Sequence, residues 1–322
     1  MENGCGRREK TGRICGTGLP AVLFPLVLAV CLLTGSSCKK STPIAPIPIT
    51  PLQQLINTDT TLSLYHRLIL QANEAGLMND DSVTVLMPVN AAFRAAGYSE
   101  NGIDSLSATA ANNLIRYHFI PTPVIVPADS GAYIPYTTLS GFTVYGMSDG
   151  VHILFNGIQA SRETAPTGKA IVYRLNGVLG APSDSLDELL GGDSSLSFLA
   201  EVFRLTGLDT LLSTGNYTIL APVNSAFINA GYDSIGAIDS ANPATLLQLG
   251  EYQIVQGLYF TNTLAGQSSL LTLQGSPVSV TMTNGLFQFK GGSNAVPANL
   301  LPGSQQAGST ILVYPIDEIL TP

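Results

Sequence analysis

Residues 84–98 read TVLMPVNAAFRAAGY, and residues 218–232 read TILAPVNSAFINAGY. The spacing never slips: Asn90 and Asn224, like Tyr98 and Tyr232, stand 134 residues apart. A text written twice at constant spacing is the mark of a duplicated domain. In each copy a β-branched, apolar run has the composition of a strand. Pro88 and Pro222, with no backbone N–H to offer a ladder, then end the pairing. Asn90 and Asn224 stand where the N-cap of a short helix belongs, AAFRAA in one copy and SAFINA in the other. Phe93 and Phe227 fall in the first turn and point to the core, and Gly97 and Gly231 stop the helix by accepting positive φ. Every position has a structural duty, so the repeated text reads as an instruction for building rather than as a catalytic site.

The duplication extends both ways. Upstream, LSLYHRLILQANEAGLM (62–78) aligns without a gap to LSFLAEVFRLTGLDTLL (196–212). Helical spacing places Leu62, Tyr65, Leu68 and Ile69 on one apolar face, answered by Leu196, Leu199, Val202 and Phe203. Downstream, NNLIRYHFI (112–120) answers LQLGEYQIV (247–255), TLSGFTVYG (138–146) answers TLQGSPVSV (272–280), and the glycine-turned hairpin DGVHILFNG answers NGLFQFKGG. The closing strands, IVYRLNGVLGAP and LVYPIDEILTP, are 141 residues apart, so the second repeat holds about six extra residues, assigned to the loop SNAVPANLLPGSQQAGST. Loops absorb such insertions at small cost.

Composition frames the rest. A chain of 322 residues with 45% hydrophobic content is long enough for two domains with their own cores. The net charge is −8, and becomes −10 when the first 37 residues, with their four bases and two acids, are set aside. Such a chain repels phosphate backbones, which argues against nucleic acid as a partner. In the leader, a basic start precedes LPAVLFPLVLAVCLL, an apolar run of fifteen residues interrupted by Pro20 and Pro25. That is short of the roughly twenty residues of a bilayer span and fits the core of a signal peptide. TGSSCKK follows, and small residues leading into Cys38 resemble the lipobox of bacterial lipoproteins, in which the cysteine is lipidated. An uncleaved anchor and ordinary secretory cleavage are the alternatives. The four cysteines, Cys5, Cys15, Cys31 and Cys38, all precede the repeats, which argues against disulfides or sulfur-ligated metal in the body. Prolines 43, 46, 48 and 51 then favour polyproline II, a semi-rigid stalk of roughly 30 to 40 Å. The expected organisation is a signal peptide over 1–37, a stalk over 38–51, and repeats over 52–182 and 183–322.

Taken together, an amphipathic helix, T-hydrophobic-hydrophobic-x-P-x-N-x-A-F, a Tyr-His segment, T-L-x-G and a terminal V-x-x-I-D-x-x-L-x-P strand resemble the fasciclin-like domain, here in tandem. The resemblance implies an α+β fold, each domain a wedge of two β-sheets with helices packed at one side. It also implies a role in adhesion, with family members using the Tyr-His segment for contacts, here Tyr117 and His118. Tyr252 and Gln253 answer these two in the second repeat. Where many members carry I-H-V-I-D, this chain has Tyr173 and Tyr314 at the histidine and Asn176 and Asp317 at the aspartate, so no imidazole titrates there.

Sets of catalytic residues are scarce. Within the repeats neither G-x-S-x-G nor S-x-x-K occurs, and the second repeat has no histidine. His66 reads as part of a solvated helix face, and His152 is answered by Phe287, a position that tolerates an apolar group. For Tyr117 and His118 the competing duty is structural: read as an extended strand, Tyr117 and Phe119 share one face and His118 and Ile120 the other. Asp184, Asp187 and Glu188 at the junction lack the D-x-D-x-D-G frame of a Ca²⁺ loop, and helix capping by Ser183 or Asp184 is the alternative. No metal, cofactor or enzymatic activity is expected. The expected function is a lipid-anchored envelope protein, resident in the outer membrane, that binds an unidentified protein or glycan. The rival is a glycan-binding accessory to an outer-membrane nutrient-uptake system.

Overall fold

The strand of the repeated text is buried at every position. In β1 (Thr84–Pro88), Val85 and Met87 face a core shared with helices, while Leu86 faces a second core inside the sheet. A strand covered on both faces cannot alternate apolar with polar, which is why Val85, Leu86 and Met87 are apolar in succession. The computed structural model describes residues 48–80, 82–165 and 167–322; the expected signal peptide, Cys38 and the first part of the expected stalk lie outside them. Pro51, assigned to the stalk from its proline pattern, is instead the first residue of helix α1 (Pro51–Thr58), capped by the Thr50 hydroxyl, which accepts from Gln53 N–H.

In the first repeat, α2 (Ser63–Gln71) precedes β1, and α3 (Asn90–Ala95), α4 (Glu100–Asp104) and α5 (Ala108–Tyr117) follow it. Then come β2 (Phe119–Ile120), β3 (Ile134–Thr137), β4 (Thr143–Ser148), β5 (Ile153–Phe155), β6 (Ile158–Arg162) and β7 (Ile171–Leu175). They form one seven-stranded sheet in the order β2-β1-β7-β6-β5-β4-β3, with β1 and β7 parallel. Leu62, Tyr65, Leu68 and Ile69 are buried against it, as their helical spacing requires.

The second repeat starts with α6 (Leu186–Gly192), α7 (Ser197–Thr206) and α8 (Leu208–Leu211). After β8 (Tyr217–Pro222) come α9 (Asn224–Asn229), α10 (Ile235–Asp239), α11 (Pro243–Tyr252), β9 (Ile254–Gln256) and α12 (Thr261–Leu264). The chain ends in β10 (Ser269–Leu271), β11 (Pro277–Thr283), β12 (Leu286–Lys290), β13 (Ala298–Asn299), β14 (Gln305–Ala307) and β15 (Ile311–Ile316). Here the sheet is two: β10-β11-β12-β13 and β14-β15-β8-β9. The strand answering β6 is broken by the extra residues. Its first piece, β13, pairs with β12, and its second, β14, pairs with β15. The surplus residues are therefore not idle loop; they open the wedge and place a new edge strand.

Two local readings need correction. Tyr117 is the last residue of α5 and His118 its C-cap, so the Tyr-His segment is a helix end and only Phe119–Ile120 is strand. At the junction the cap of α6 is Ser185, whose hydroxyl accepts from Glu188 N–H at 3.1 Å while the Glu188 carboxylate accepts from Asp184 N–H at 2.9 Å. That is a capping-box exchange shifted one residue toward the N-terminus of the helix from its usual form. No group of three or more His, Cys, Asp or Glu side chains that could hold a metal occurs among the described residues. No described helix is long and apolar enough to cross a membrane. Both repeats belong to one compact unit, Pro48–Pro322.

Candidate functional site

The repeated text is fixed by bonds between distant elements. Asn90 is the first residue of α3, and its side chain does not cap that helix. Its Oδ1 accepts from Leu64 N–H at 2.9 Å, and its Nδ2 donates to Thr60 O at 2.8 Å and Ser63 Oγ at 3.0 Å. Asn224 repeats the pattern, accepting from Phe198 N–H and donating to Ser194 O and Ser197 Oγ. Each asparagine thus satisfies an orphan amide at the start of the preceding long helix, α2 or α7, rather than of its own. The motif threonines are equally committed. Thr84 donates to Thr122 O and accepts from Val124 N–H, and Thr218 does the same with Gly257 and Tyr259. Phe93 and Phe227 are buried, and Gly97 and Gly231 hold φ of 83° and 95°.

Tyr117 and His118, the candidate contact residues, are both 0% exposed. Neither side chain can meet a partner while the fold is closed. The His118 ring bridges two backbones: Nδ1 lies 2.8 Å from Leu114 O, and Nε2 accepts from Leu179 N–H at 3.2 Å. Those partners assign the neutral tautomer with the proton on Nδ1. Burial pushes the ring's pKa down to about 4, with the Leu114 carbonyl opposing. Gln253 performs the same bridge, donating to Leu249 O and Leu320 O and accepting from Leu320 N–H. The other histidines lie elsewhere: His66 is half-buried on α2, and His152 is exposed in the turn after β4, its Nδ1 3.3 Å from Asp149. The three form no cluster of shared function.

Tyr117 has a duty that the sequence does not reveal. Its hydroxyl lies 3.0 Å from both Thr143 O and Gln306 Oε1 and accepts from Asn156 Nδ2 at 2.9 Å. Gln306 belongs to β14, so this network crosses from the first repeat to the second. Around it, Ser309 Oγ accepts from Thr143 N–H, and the Tyr145 hydroxyl donates to Ser309 O at 2.8 Å. Phe260 packs between Tyr133 and Tyr145, with ring centroids 4.7 and 5.9 Å away. The Tyr133 hydroxyl donates to Asn262 Oδ1, and Asn262 Nδ2 reaches Met147 Sδ. Burial pushes the phenols of Tyr117, Tyr133 and Tyr145 up, so they remain protonated donors. Gly157 makes the close approach possible: its φ is +79°, and a Cβ there would lie 3.0 Å from Phe260 Cβ.

Gln306 and Ser309 escaped the sequence reading because they lie in the surplus segment, treated as a loop. Their signal was the surplus itself, since added residues that keep polar side chains beside a duplicated strand need a partner. Beside the seam, a cleft of about 230 Å³ is lined from both repeats, by Asn156 and Gly180 of the first and Thr261 and Ser304 of the second.

Similarity to known proteins is distributed over both repeats. Periostin from Homo sapiens is 29% identical over 183 residues, 55% of this chain and 21% of periostin. Transforming growth factor-beta-induced protein ig-h3 is 21% identical over 75% of this chain and 35% of its own length in Sus scrofa. In Oryctolagus cuniculus the same protein is 25% identical over 76% of this chain and 34% of its own length. The chain therefore spans about a fifth to a third of the length of these relatives. A FAS1 domain pair from the insect cell adhesion molecule Fasciclin I matches over 81% of this chain and 97% of that one, with a TM-score of 0.39 and 16% identity. The Fasciclin domain model matches residues 60–181 and again 194–322, and with both repeats so matched the chain belongs to the fasciclin family as a tandem domain pair.

Proposed function

We propose that the protein is an adhesion-type interaction module of a bacterial cell envelope, lipidated at Cys38 and carried off the outer membrane by its proline-rich stalk. Family membership supports the adhesion role, and the observation that carries it furthest is the seam. A network built on Tyr117, Asn156 and Gln306 makes two domains one body, so binding surfaces on each are presented at a fixed spacing. A pair that engages a partner through both domains loses little orientational freedom on binding, which is the advantage of preorganisation. The reading assigns the protein no catalysis. His118, the most buried of its bases, is held neutral between two backbone groups, where it braces the fold.

The test has two arms. Cys38→Ala moves the protein from the membrane fraction to the soluble fraction, and a palmitate analogue labels the wild type but not the variant; unlabelled wild type rejects the anchor. Beads coated with the chain are then assayed for adhesion to cells and to envelope material. No adhesion above that of uncoated beads rejects the role, and selective oligosaccharide capture without adhesion assigns the chain to glycan uptake instead.

A further inference from the structure

The two repeats serve as controls for each other, because a position that keeps the fold but changes chemistry reports what one domain does and the other does not. Four such changes converge on one groove of the second repeat. Asn229 on α9 and Thr245 on α11 stand where the first repeat has Ala95 and Ala110. Glu318 and Thr321, in the segment after β15, stand where it has Gly177 and Gly180. The groove has a volume of about 470 Å³, within the range of small-ligand sites.

Its floor and walls are of mixed character. Tyr232, half-buried and packed edge-on against Phe227 at 6.2 Å, lines it together with Ala230, Leu249 and Ile319. The side chains of Asn229, Gln248 and Glu318 make no hydrogen bond or ion pair with any described residue. Part of the lining is stiff: Asn294 accepts from Thr321 N–H at 2.8 Å and from Gly291 N–H at 3.2 Å and donates to Ile319 O at 2.7 Å. Two free amides, each donor and acceptor, and a free carboxylate thus line the same groove as an aromatic ring with a polar tip. Glu318 carries the only charged side chain among the described lining residues, and none of them is basic, so nothing in the lining attracts a phosphate, sulfate or carboxylate.

We propose that this groove is a binding site for neutral carbohydrate. A pyranose has an apolar face that rests on a tyrosine ring, and vicinal hydroxyls that each donate and accept. A carboxylate accepts from such a pair, and the two amides supply the donors that a carboxylate lacks. The inference deepens the proposed function by naming a ligand class and rests on reading the chain as a binding module.

The experiment uses the full chain on an array of gluco-, manno- and xylo-oligosaccharides, with sulfated and sialylated glycans and a lysine-rich peptide as comparators. The wild type retains at least one neutral oligosaccharide. Affinity falls about tenfold in the Asn229→Ala/Thr245→Ala double variant, which installs the first repeat's residues, and by a similar factor in Glu318→Gln. Melting temperatures stay unchanged, because these side chains hold nothing in the fold. Arg94→Ala, beside Tyr98 in the first repeat, leaves binding as it was. Retention of no neutral sugar overturns the proposal, and so does retention that the groove variants do not weaken. Preferential capture of the basic peptide through Glu318 also overturns it and assigns the groove to a protein segment. If adhesion persists in the groove variants and no sugar binds, the site fails and the adhesion role stands. If sugar binds and adhesion is absent, the reverse holds.

Discussion

His118 offers a prediction in which stability and pH act together. The ring joins Leu114 O to Leu179 N–H in the interior, the second repeat makes the same join with Gln253, and so His118→Gln keeps both backbone groups paired. At neutral pH the substitution is expected to cost less than about 1 kcal/mol. His118→Leu leaves a buried donor and a buried acceptor unsatisfied, at about 1 to 3 kcal/mol each.

The pH dependence separates them further. The pKa of His118 is lowered from 6.5 to about 4, so above pH 6.5 the ring is neutral in the folded and unfolded chain alike and the bridge is intact. Between 6.5 and 4 the unfolded chain binds a proton that the folded chain refuses, and stability falls as pH falls. Below 4 both states bind it and the loss is complete, at about 3 kcal/mol. Tyr65, whose ring packs edge-on at 6.4 Å, does not offset this, because burial pushes its phenol well up and it stays neutral. Carboxylates titrate in the same range, so the informative quantity is the difference between wild type and His118→Gln. Urea midpoints measured from pH 7.5 to 4 are expected to converge or cross, with the glutamine variant the more stable near pH 4. If both proteins lose the same stability over that interval, the buried neutral ring is not what the reasoning takes it to be.

Other substitutions test separate parts of the structure. Tyr65 carries a buried hydroxyl with no hydrogen-bond partner, at a position where the second repeat has Leu199, so Tyr65→Phe is expected to raise stability by about 1 kcal/mol in chemical denaturation. Asn90→Ala and Asn224→Ala each remove three hydrogen bonds at a helix start and are expected to cost about 1 to 3 kcal/mol, read by thermal melting. Gly157→Ala puts a side chain at positive φ and against Phe260; it is expected to loosen the seam, splitting a single calorimetric transition into two and increasing the radius of gyration in small-angle scattering.

The fold was legible because its instructions are local and written twice. Apolar spacing located α2 and α7, and proline and glycine marked the ends of β1 and α3. The site was less legible, because its partners are chosen by tertiary contact. Asn90 is the first residue of α3 rather than its N-cap, and the chain folds so that its side chain meets the start of α2, 26 residues earlier. Alternation read Tyr117 as strand, but α5 runs through Tyr117, and Ile115 and Tyr117 are both buried on it. The position of Gln306 depends on where an insertion breaks the second repeat's counterpart of β6, and a count of inserted residues gives their number but not the direction of their side chains.

The duplication also explains why the Tyr-His segment differs in use between the repeats although it is alike in sequence. Tyr117 and Tyr252 end equivalent helices and are equally buried, but Tyr252 donates to Pro277 O within its own domain, whereas Tyr117 meets a side chain of its neighbour. The difference lies in what the tyrosine finds opposite it. In the first repeat β6 is continuous, and its turn at Asn156–Gly157 comes up against Phe260 and, through Asn156, Gln306. In the second repeat the same strand is broken, which frees β14 to carry Gln306 across. The surplus residues thus supply both halves of the asymmetry: they open the second wedge, and the edge strand they release closes onto the first. A tandem pair built this way cannot exchange the order of its domains, since only the second carries the strand that binds and only the first keeps the unbroken sheet that receives it.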